Sequence, residues 1–425
     1  MKVFLALLYS ALFYPLLMVV THVFSLFNAK VRRALYPRYR LLSVIKTWRR
    51  ENPETKRTVL IHCASMGEFE HIKPLIHKLS QTYQARIILS FFSPSGYENV
   101  KSFPGVDLIL YSPFDFCFLW KKIYRLLRPV QVILSKHDVW PNQVWAAEKR
   151  SIPVYLVNAS FHAGSSRARF PARFFLKYVY RSIKKIYTIT ADDERRFLQA
   201  FPESITGIAG DTKFDQVQIR KQAARNKNLL AREWLEDSTI LLFGSIWPED
   251  TKHLLPGLKV VLQQEEKVKL ILVPHQPELK YVLELTHAFK PYQTALYSDH
   301  DSLKKQRVLL VDAIGVLADL YKYAQIAYVG GSFRQGIHNV MEPAIYGIPV
   351  LYGPRHTNSA EAIRLLQAGG STVIHNEAQA AGTMLHLIRK KDKREQMGRL
   401  AAAFALKNCG ATDALIEEWR PLFLP

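Results

Sequence analysis

A glycine-rich turn decides how this chain folds: Gly330-Gly331-Ser332-Phe333-Arg334-Gln335-Gly336-Ile337-His338-Asn339-Val340-Met341-Glu342-Pro343. It follows the apolar run 326–329, which is typical of a buried parallel strand, and leads into a helical pattern that carries Asn339 and Glu342. Backbone N–H groups and the dipole at a helix N-terminus attract a phosphate, and a carboxylate one turn further can bind ribose hydroxyls. The stretch therefore predicts a site for a nucleotide-activated substrate, with a ligand-free strand-to-helix connection as the alternative. The candidate ligand-binding residues of this turn are Gly331, Ser332, Gly336, His338, Asn339 and Glu342.

Short apolar runs alternate with helical stretches in both halves of the chain, and this alternation predicts parallel, doubly wound sheets. The expected fold is α/β, with an N-terminal segment at 1–30 and two Rossmann-like domains at 31–220 and 221–425. Ligands bind at the carboxyl ends of such strands, so the site is expected in a cleft that the two domains face. The predicted strands are 59–63, 86–91, 108–111, 131–134, 154–157 and 185–189, then 239–243, 269–273, 308–311, 326–329, 350–351 and 372–374.

Composition supports a folded, anion-attracting protein. At 425 residues and 48% apolar content the chain can bury two domain cores, and its net charge of +22 favours nucleic acid, phosphorylated substrates or an acidic membrane surface as partners. Cys63, Cys117 and Cys409 stand far apart, so neither a disulfide framework nor a zinc site is indicated. This cysteine usage fits a reducing compartment.

The N-terminal segment predicts membrane attachment. Residues 3–27 contain no Asp, Glu, Lys or Arg, and a helix of this length would extend about 37 Å, enough to cross the hydrocarbon layer. The run is longer than a signal-peptide core and lacks a clear cleavage site, so it is expected to stay on the mature chain. Pro15 and His22 also allow a second interpretation, a kinked helix lying in the membrane interface. The positive-inside rule places the body of the protein in the cytoplasm, because one lysine, Lys2, precedes the run and Lys30, Arg32, Arg33, Arg38 and Arg40 follow it.

Three residues of the first predicted domain are candidates for catalysis. Glu68 follows the first strand and begins a helix, so its carboxylate can act as a general base on an acceptor hydroxyl, or simply complement the helix dipole. Lys213 lies at the same edge and can neutralise a phosphate or a carboxylate, or remain a solvated lysine. Asp138 is a further acid, two residues after Lys136. No Asp-x-Asp or paired-carboxylate cluster suggests a metal site, so we expect a metal-independent transfer.

In the second predicted domain, Ser245 and His275 follow the first two strands. Their side chains can reach a nucleotide there, or serve as a helix cap and a hydrogen-bonded loop residue.

Taken in order, several segments resemble the 3-deoxy-D-manno-octulosonic acid (Kdo) transferase family of lipopolysaccharide synthesis. The resemblance implies a two-domain GT-B fold and transfer of Kdo from CMP-Kdo to a lipid A precursor, lipid IVA, on the cytoplasmic face of the inner membrane. The implied partners are CMP-Kdo, the lipid precursor and an anionic membrane surface, with no nucleic acid and no cofactor beyond the donor substrate. The matching segments are the N-terminal anchor, 64–68, 140–142, 158–160, 210–215 and 330–343.

The resemblance also implies roles for single residues. Glu68 would be the catalytic base, and Lys213 would stabilise the transition state. Two departures stand beside these matches. Lys136-His137-Asp138 replaces a common Glu-x-Glu and leaves Asp138 as its acidic substitute, while Pro274-His275-Gln276 lacks an arginine expected near the CMP phosphate. The implied CMP-binding residues are Pro274, His275, Ile314, Gly315, Val316, Asn339, Val340, Met341 and Glu342.

Two other functions stay open at this point. Another membrane-associated GT-B enzyme would use a uridine or guanosine sugar nucleotide. The charge alone suggests a membrane-tethered nucleic-acid-binding protein, although the sequence contains no recognisable nucleic-acid-reading module.

Overall fold

The computed structural model describes residues 1–53 and 55–424, which form two units. The first unit is Met1–Gln216 with Cys409–Pro425, and the second is Val217–Asn408. Each contains a sheet of seven strands in which all recorded neighbours pair in parallel. The predicted α/β fold with two doubly wound sheets is confirmed.

The first sheet has the strand order β3-β2-β1-β4-β5-β6-β7. Its central strands are buried on both faces, which explains their near-continuous apolar sequences. The seventh strand escaped sequence prediction because its three edge residues are half-buried or exposed, so no apolar run marks them. The strands are β1 Thr58–Cys63, β2 Arg86–Phe91, β3 Leu108–Tyr111, β4 Pro129–Ser135, β5 Val154–Ala159, β6 Lys185–Thr188 and β7 Thr206–Ile208.

Helices cover the first sheet and precede it. A π-helical turn, Tyr9–Phe13, joins the first two helices, and a 3-10 turn, Ser166–Ala168, precedes the ninth. The helices up to the end of this unit are α1 Lys2–Leu8, α2 Tyr14–Phe27, α3 Ala29–Tyr39, α4 Leu41–Glu51, α5 Met66–Tyr83, α6 Pro94–Tyr97, α7 Cys117–Leu127, α8 Pro141–Glu148, α9 Ala172–Tyr180, α10 Ala191–Ala200 and α11 Thr212–Ala224.

The second sheet has the order β10-β11-β9-β8-β12-β13-β14. Its outer strand β10 was also missed by the sequence prediction, because its three residues are only half-buried. The strands are β8 Thr239–Ile246, β9 Val268–Pro274, β10 Thr294–Leu296, β11 Val308–Leu310, β12 Ile326–Val329, β13 Val350–Tyr352 and β14 Ser371–Val373. The helices are α12 Arg232–Leu235, α13 Pro248–Gln264, α14 Leu279–Ala288, α15 Leu317–Leu320, α16 Met341–Ile345, α17 Ala360–Gln367, α18 Glu377–Arg389 and α19 Lys391–Lys407, with 3-10 turns at Lys290–Tyr292, Tyr297–Ser302 and Tyr321–Tyr323.

The last helix, α20 Ala411–Trp419, belongs to the first unit. Trp419 is 1% exposed and its indole N–H donates to the Tyr187 hydroxyl at 3.1 Å. Asp215 accepts the backbone N–H groups of Gly410 at 2.6 Å and Thr412 at 2.7 Å. The predicted second domain, 221–425, is therefore too long at its C-terminal end, because these apolar and capping contacts return the chain to the first core. Pro425 itself lies outside the described residues.

The N-terminal helical segment lies along the first unit. Within the described residues, Lys2–Phe27 is one helical stretch long and apolar enough to cross a membrane. The Tyr9 hydroxyl donates to Asp115 at 3.0 Å, and the Tyr14 hydroxyl accepts the backbone N–H of Asp115 at 2.7 Å. Asp115 is buried, and burial raises the pKa of its carboxyl to about 6. One side of the segment is thus fixed to the unit by polar contacts.

The basic residues behind this segment do not all face solvent. Lys30, Arg32, Arg33 and Arg40 are exposed, whereas Arg38 is buried. The Arg38 guanidinium donates to the carbonyls of Ser112 at 2.8 Å and Ala34 at 2.7 Å, so it serves the interior of the unit.

Candidate active site

Glu68 lies in the first turn of α5, directly after β1. Its Oε2 atom accepts the backbone N–H of Ala64 at 2.6 Å, which fixes the carboxylate over the end of the strand. Burial raises the pKa of Glu68; the Ala64 hydrogen bond opposes this shift, the charge of Asp138 adds to it, and His62 and Lys136 oppose it. A carboxylate that is partly shielded from water, yet fixed by a backbone donor, is suited to accept a proton.

Asp138 is paired with a histidine that the sequence reasoning missed. His62, the fifth residue of β1, is fully buried, and its Nε2 atom lies 2.8 Å from Asp138 Oδ2. The other ring nitrogen lies 3.0 Å from the hydroxyl of Ser90 on β2. A histidine at an inward position of an otherwise apolar strand was the available signal, because such a position needs a polar partner on the neighbouring strands.

Lys136 and Lys213 are linked through two further side chains. Lys136 Nζ lies 3.2 Å from His71 Nε2, and His71 Nδ1 lies 2.8 Å from Asp211 Oδ1. Asp211 also accepts the backbone N–H of Lys213 at 3.0 Å, while Lys213 Nζ is 3.9 Å from its Oδ2. Burial alone would raise the pKa of Asp211, but the hydrogen bond and charge of His71, with Lys213, lower it to about 2. The buried Asp211 carboxylate thus lies near the ammonium group of Lys213 and is connected to that of Lys136 through His71.

Lys136 also has an unusual backbone. Its φ is +57°, a left-handed conformation that a residue with a Cβ adopts only when its surroundings impose it. The residue directly follows β4, and its N–H donates to the carbonyl of Val157 at 2.9 Å. The strand end therefore holds Lys136 in place of the acid expected from the resemblance.

In the second unit, the glycine-rich turn is organised by Asp250, which the sequence reasoning missed. The Oδ2 atom of this buried carboxylate accepts backbone N–H groups from Gly331 at 2.7 Å and Trp247 at 2.9 Å, and Oδ1 accepts the Tyr328 hydroxyl at 2.9 Å. Burial raises the pKa of Asp250, and the hydrogen bonds oppose that shift. An acid three residues after Trp247, at the start of α13, was the signal for this N-terminal cap.

The turn is so close-packed that its glycines are required. Gly331 has φ +85°, and a Cβ there would overlap the carbonyl oxygen of Gly336 and lie 3.0 Å from the His338 ring. A Cβ on Gly330 would overlap the carbonyl of Ser245, which itself has φ +53°. The following helix, α16, has only five residues, so the macrodipole expected from the sequence is short.

A cavity of about 280 Å³ in the second unit is lined by two predicted residues and two unpredicted cations. Gly315 and Glu342 line it together with Arg220 and Lys227. Glu342 Oε1 accepts from Arg220 Nη1 at 3.1 Å and from Asn339 Nδ2 at 3.3 Å, and Lys227 pairs with Asp319 at 2.6 Å. The cavity therefore offers oriented carboxylates and cations next to a glycine whose φ of +91° keeps the backbone approachable.

The remaining predicted residues differ in accessibility. Ser332 is fully buried and its hydroxyl accepts the N–H of Gly353 at 2.6 Å. Ile314 is 84% exposed beside the half-buried Val316, and His275 is exposed over the rings of Trp247 and His338. The residues whose side chains are enclosed by the unit, and can face a ligand only through their backbone, are Pro274, Val340 and Met341.

Comparison with known proteins finds similarity to one family over most of the chain. Residues 30–216 match the family model described as 3-deoxy-D-manno-octulosonic-acid transferase. The 3-deoxy-D-manno-octulosonic acid transferase of Haemophilus influenzae is 26% identical over 370 residues, covering 85% of this chain and 86% of that protein. That of Chlamydia muridarum is 29% identical over 384 residues, covering 85% and 86%. The resemblance seen in the sequence is confirmed.

A solved structure supports the fold independently. The UDP-GlcNAc 2-epimerase from Neisseria meningitidis, bound to UDP-GlcNAc, superposes with a TM-score of 0.60 at 14% identity, covering 86% of this chain and all of that one. At this identity the likeness concerns the fold. Together with the two parallel sheets, it confirms the GT-B-like architecture that the resemblance implied.

The glycine-rich turn yields a stability prediction. Gly331→Ala places a Cβ against the Gly336 carbonyl at a positive φ, so we expect the second unit to lose about 2 kcal/mol or more. Thermal unfolding monitored by circular dichroism measures this loss. Gly382→Ala is the matched control: it lies inside α18 with no atom within 4 Å of its Cβ, and should stabilise by up to about 1 kcal/mol. An unchanged melting temperature in Gly331→Ala would contradict the packing described.

Proposed function

We propose that this chain, which is similar to Kdo transferases over most of its length, is an inverting, metal-independent glycosyltransferase that moves Kdo from CMP-Kdo to lipid IVA in lipopolysaccharide synthesis. The observation that carries this proposal is the setting of Glu68. It lies within the residues that match the family model, at the end of β1, with a raised pKa and a backbone donor that fixes it.

The proposed chemistry is a single displacement. The Glu68 carboxylate takes the proton of an acceptor hydroxyl while that oxygen forms a bond to the anomeric carbon of Kdo. The bond from that carbon to the CMP phosphate breaks at the same time, its electron pair leaves with CMP, and the anomeric configuration inverts. The raised pKa of Glu68 makes it a stronger base than an exposed glutamate, which favours the proton transfer at neutral pH.

Lysines of the first unit are proposed to stabilise the negative charges of the reactants. Kdo carries a carboxylate, CMP carries a phosphate, and lipid IVA carries phosphates. Lys136 and Lys213, on either side of His71 and Asp211, can stabilise these anions as the bond to CMP breaks.

Asp138 acts together with His62. The pair sets the electrostatic environment of Glu68.

The second unit is proposed to hold the nucleotide. Glu342 is oriented by Arg220 and Asn339 at the cavity and can accept hydrogen bonds from the ribose hydroxyls. Gly315, whose backbone has a positive φ and no Cβ, lets the phosphate approach closely. CMP-Kdo is the donor substrate in this scheme, and no further cofactor is needed.

We further propose that the N-terminal segment lies in the membrane interface and does not cross the bilayer. Its polar contacts begin at Lys2, which pairs with Glu148 at 2.5 Å, and continue through Tyr9 to His22, which contacts Tyr39. A spanning helix would have to break this row of contacts. The opposite side is apolar and suited to enter a lipid leaflet, with exposed Val3, Phe4, Leu7, Leu12, Phe13, Leu16, Val19, Val20, Val23, Phe24 and Phe27.

We propose that this interfacial segment lies on the cytoplasmic leaflet. The exposed cations Lys30, Arg32, Arg33 and Arg40 would meet anionic headgroups of the cytoplasmic leaflet. Both units would then lie on the cytoplasmic side of the inner membrane.

The first test of function is kinetic. Glu68→Gln keeps the size and the Ala64 hydrogen bond but removes the base, so kcat with CMP-Kdo and lipid IVA should fall by about 10²- to 10⁴-fold with KM little changed. Product formation is followed by mass spectrometry. The control is Glu70→Gln, an acid two residues further along α5 that pairs with Lys73 and should leave kcat within about twofold.

Turnover with other donors, together with binding measurements, separates the rival functions. Robust turnover of a uridine or guanosine sugar nucleotide, with none of CMP-Kdo, would assign a different donor. Salt-sensitive binding to random DNA without a CMP-dependent thermal shift would indicate the nucleic-acid-binding alternative.

Lys136 gives a prediction for pH dependence. The charge of Lys136 lowers the pKa of Glu68, so Lys136→Met should raise that pKa. The base must be ionised to act; therefore the acid limb of the kcat/KM profile should move to higher pH in the variant. Lys73→Met is the control: Lys73 also lies on α5 but is not among the charges named as shifting the pKa of Glu68. The acid limb of the kcat/KM profile of this variant should coincide with that of wild type. A limb that stays in place or moves to lower pH in Lys136→Met contradicts the assigned role.

Topology decides between the interfacial and the spanning helix. We attach one epitope before Met1 and another after Pro425, and treat intact spheroplasts and inverted membrane vesicles with a protease. An interfacial helix leaves both epitopes protected in spheroplasts and cleaved in inverted vesicles. Cleavage of the N-terminal epitope from outside spheroplasts would show a spanning helix and exclude the proposal.

A further inference from the structure

Three rings of the second unit form one stack beside the glycine-rich turn. The rings of Trp247 and His338 are almost coplanar, with an interplanar angle of 7° and centroids 6.3 Å apart. They meet edge to edge, because Trp247 Nε1 lies 2.9 Å from His338 Nε2. His275 lies over both, with its centroid 4.6 Å from Trp247 and 4.4 Å from His338. Two of the three rings were expected at the donor site from sequence, and Trp247 was not.

The contact between Trp247 and His338 fixes where the histidine proton is. An indole N–H can only donate, so Nε2 of His338 must accept through its lone pair. The imidazole is therefore neutral, and its single proton is on Nδ1. The electrostatics agree with this geometry, because burial and the neighbouring His275 lower the pKa of His338 to about 4.

The backbone holds both partners in position. The N–H of Trp247 donates to Asp250, and the same carboxylate oxygen accepts the N–H of Gly331, so the indole and the turn share one anchor. The N–H of His338 donates to the carbonyl of Gly330 at 3.3 Å. The ring pair is thus part of the turn that carries Asn339 and, three residues later, Glu342.

We infer that Trp247 is a positioning residue of the donor site: it holds His338 as the neutral Nδ1–H tautomer, an N–H donor for a phosphate oxygen of the bound nucleotide. The inference rests on the proposed function, since it takes the second unit to bind the nucleotide. It also gives the departure at His275 a physical setting. Where related proteins are expected to carry an arginine, this chain has a ring that stacks on the plate formed by Trp247 and His338.

The consequence is a phosphate contact that does not titrate near neutral pH. A histidine cation would lose its charge as pH rises through its ordinary pKa of about 6.5, whereas a neutral N–H donor is present on both sides of that value. His275, which follows β9, lies against the His338 ring; the turn that carries His338 also contacts Asp250 through Gly331, and its Arg334 pairs with Glu249 of α13 at 2.5 Å.

The tautomer is measured directly on the full chain in detergent, with ¹⁵N-labelled histidine and His338 signals assigned by their loss in His338→Gln. Wild type should show a protonated Nδ1 and an unprotonated Nε2 from pH 5 to pH 8. Trp247→Phe keeps a ring under His275 but has no donor, so His338 should shift toward the Nε2–H tautomer and gain a proton at the acid end of this range. Trp234→Phe removes another indole donor of the same unit, from a bond to the Gln306 carbonyl, and should leave the His338 signals unchanged.

Binding of CMP, measured by calorimetry at pH 6 and pH 8, reports the functional consequence. The phosphate of CMP itself changes charge at about pH 6, so each variant is compared with wild type at the same pH. Trp247→Phe should bind about tenfold more weakly at pH 8, where the donor is lost, and recover part of that loss at pH 6, where His338 becomes a cation.

Four outcomes would overturn the proposal, and they are distinguishable. A wild-type His338 that is protonated on Nε2, or on both nitrogens at pH 7, removes the positioning role whether or not CMP binds, and this measurement does not depend on how any variant folds. A changed tautomer with unchanged CMP affinity in Trp247→Phe removes the link to the ligand. A loss of CMP affinity in Trp247→Phe, relative to wild type, that is equally large at pH 6 and pH 8 contradicts the neutral donor. The expected tautomer in a wild type with no affinity for CMP overturns the proposed donor, and with it the ligand assigned to His338.

Discussion

Polar groups that follow buried parallel strands must find partners at the strand ends, and this constraint determines both candidate sites. In the second unit, Asp250 accepts two backbone N–H groups and a tyrosine hydroxyl, and so joins α13, β12 and the glycine-rich turn. In the first unit, Asp211 is almost fully buried and joins the start of α11 to His71 on α5. Neither carboxylate is proposed to take part in bond making: Asp250 holds the glycine-rich turn, and Asp211 holds His71 and Lys213.

A change of charge in the first unit is accommodated by its neighbours. Lys136 stands where the resemblance leads one to expect an acid. Its ammonium group contacts Nε2 of His71, and Nδ1 of the same ring contacts Asp211. An ammonium facing an apolar side chain would have no such partner. Lys136 thus has a hydrogen-bond partner at the strand end, and its charge lowers the pKa of the nearby Glu68.

Sequence reasoning found the parts of the molecule that periodic patterns and motifs encode. Buried strands such as β1 are continuous apolar runs, and Glu68 follows one of them, so both could be predicted. The short edge strands β7 and β10 could not, since half-exposed residues give no such run. His62, Asp250 and Trp247 were missed for another reason: each gains its role from a partner far away in sequence, and one chain without its fold does not show which side chains meet.

The return of α20 to the first unit has a consequence for biosynthesis. Leu415, Ile416 and Trp419 are part of the same apolar cluster as β1, β2 and α5, although the whole second unit is translated between them. While the ribosome is still making residues 217–408, the first unit lacks the rings and aliphatic groups that complete this cluster. The second unit, whose residues are contiguous, can reach its final packing earlier. The part of the chain that is synthesised first is therefore the part that finishes folding last.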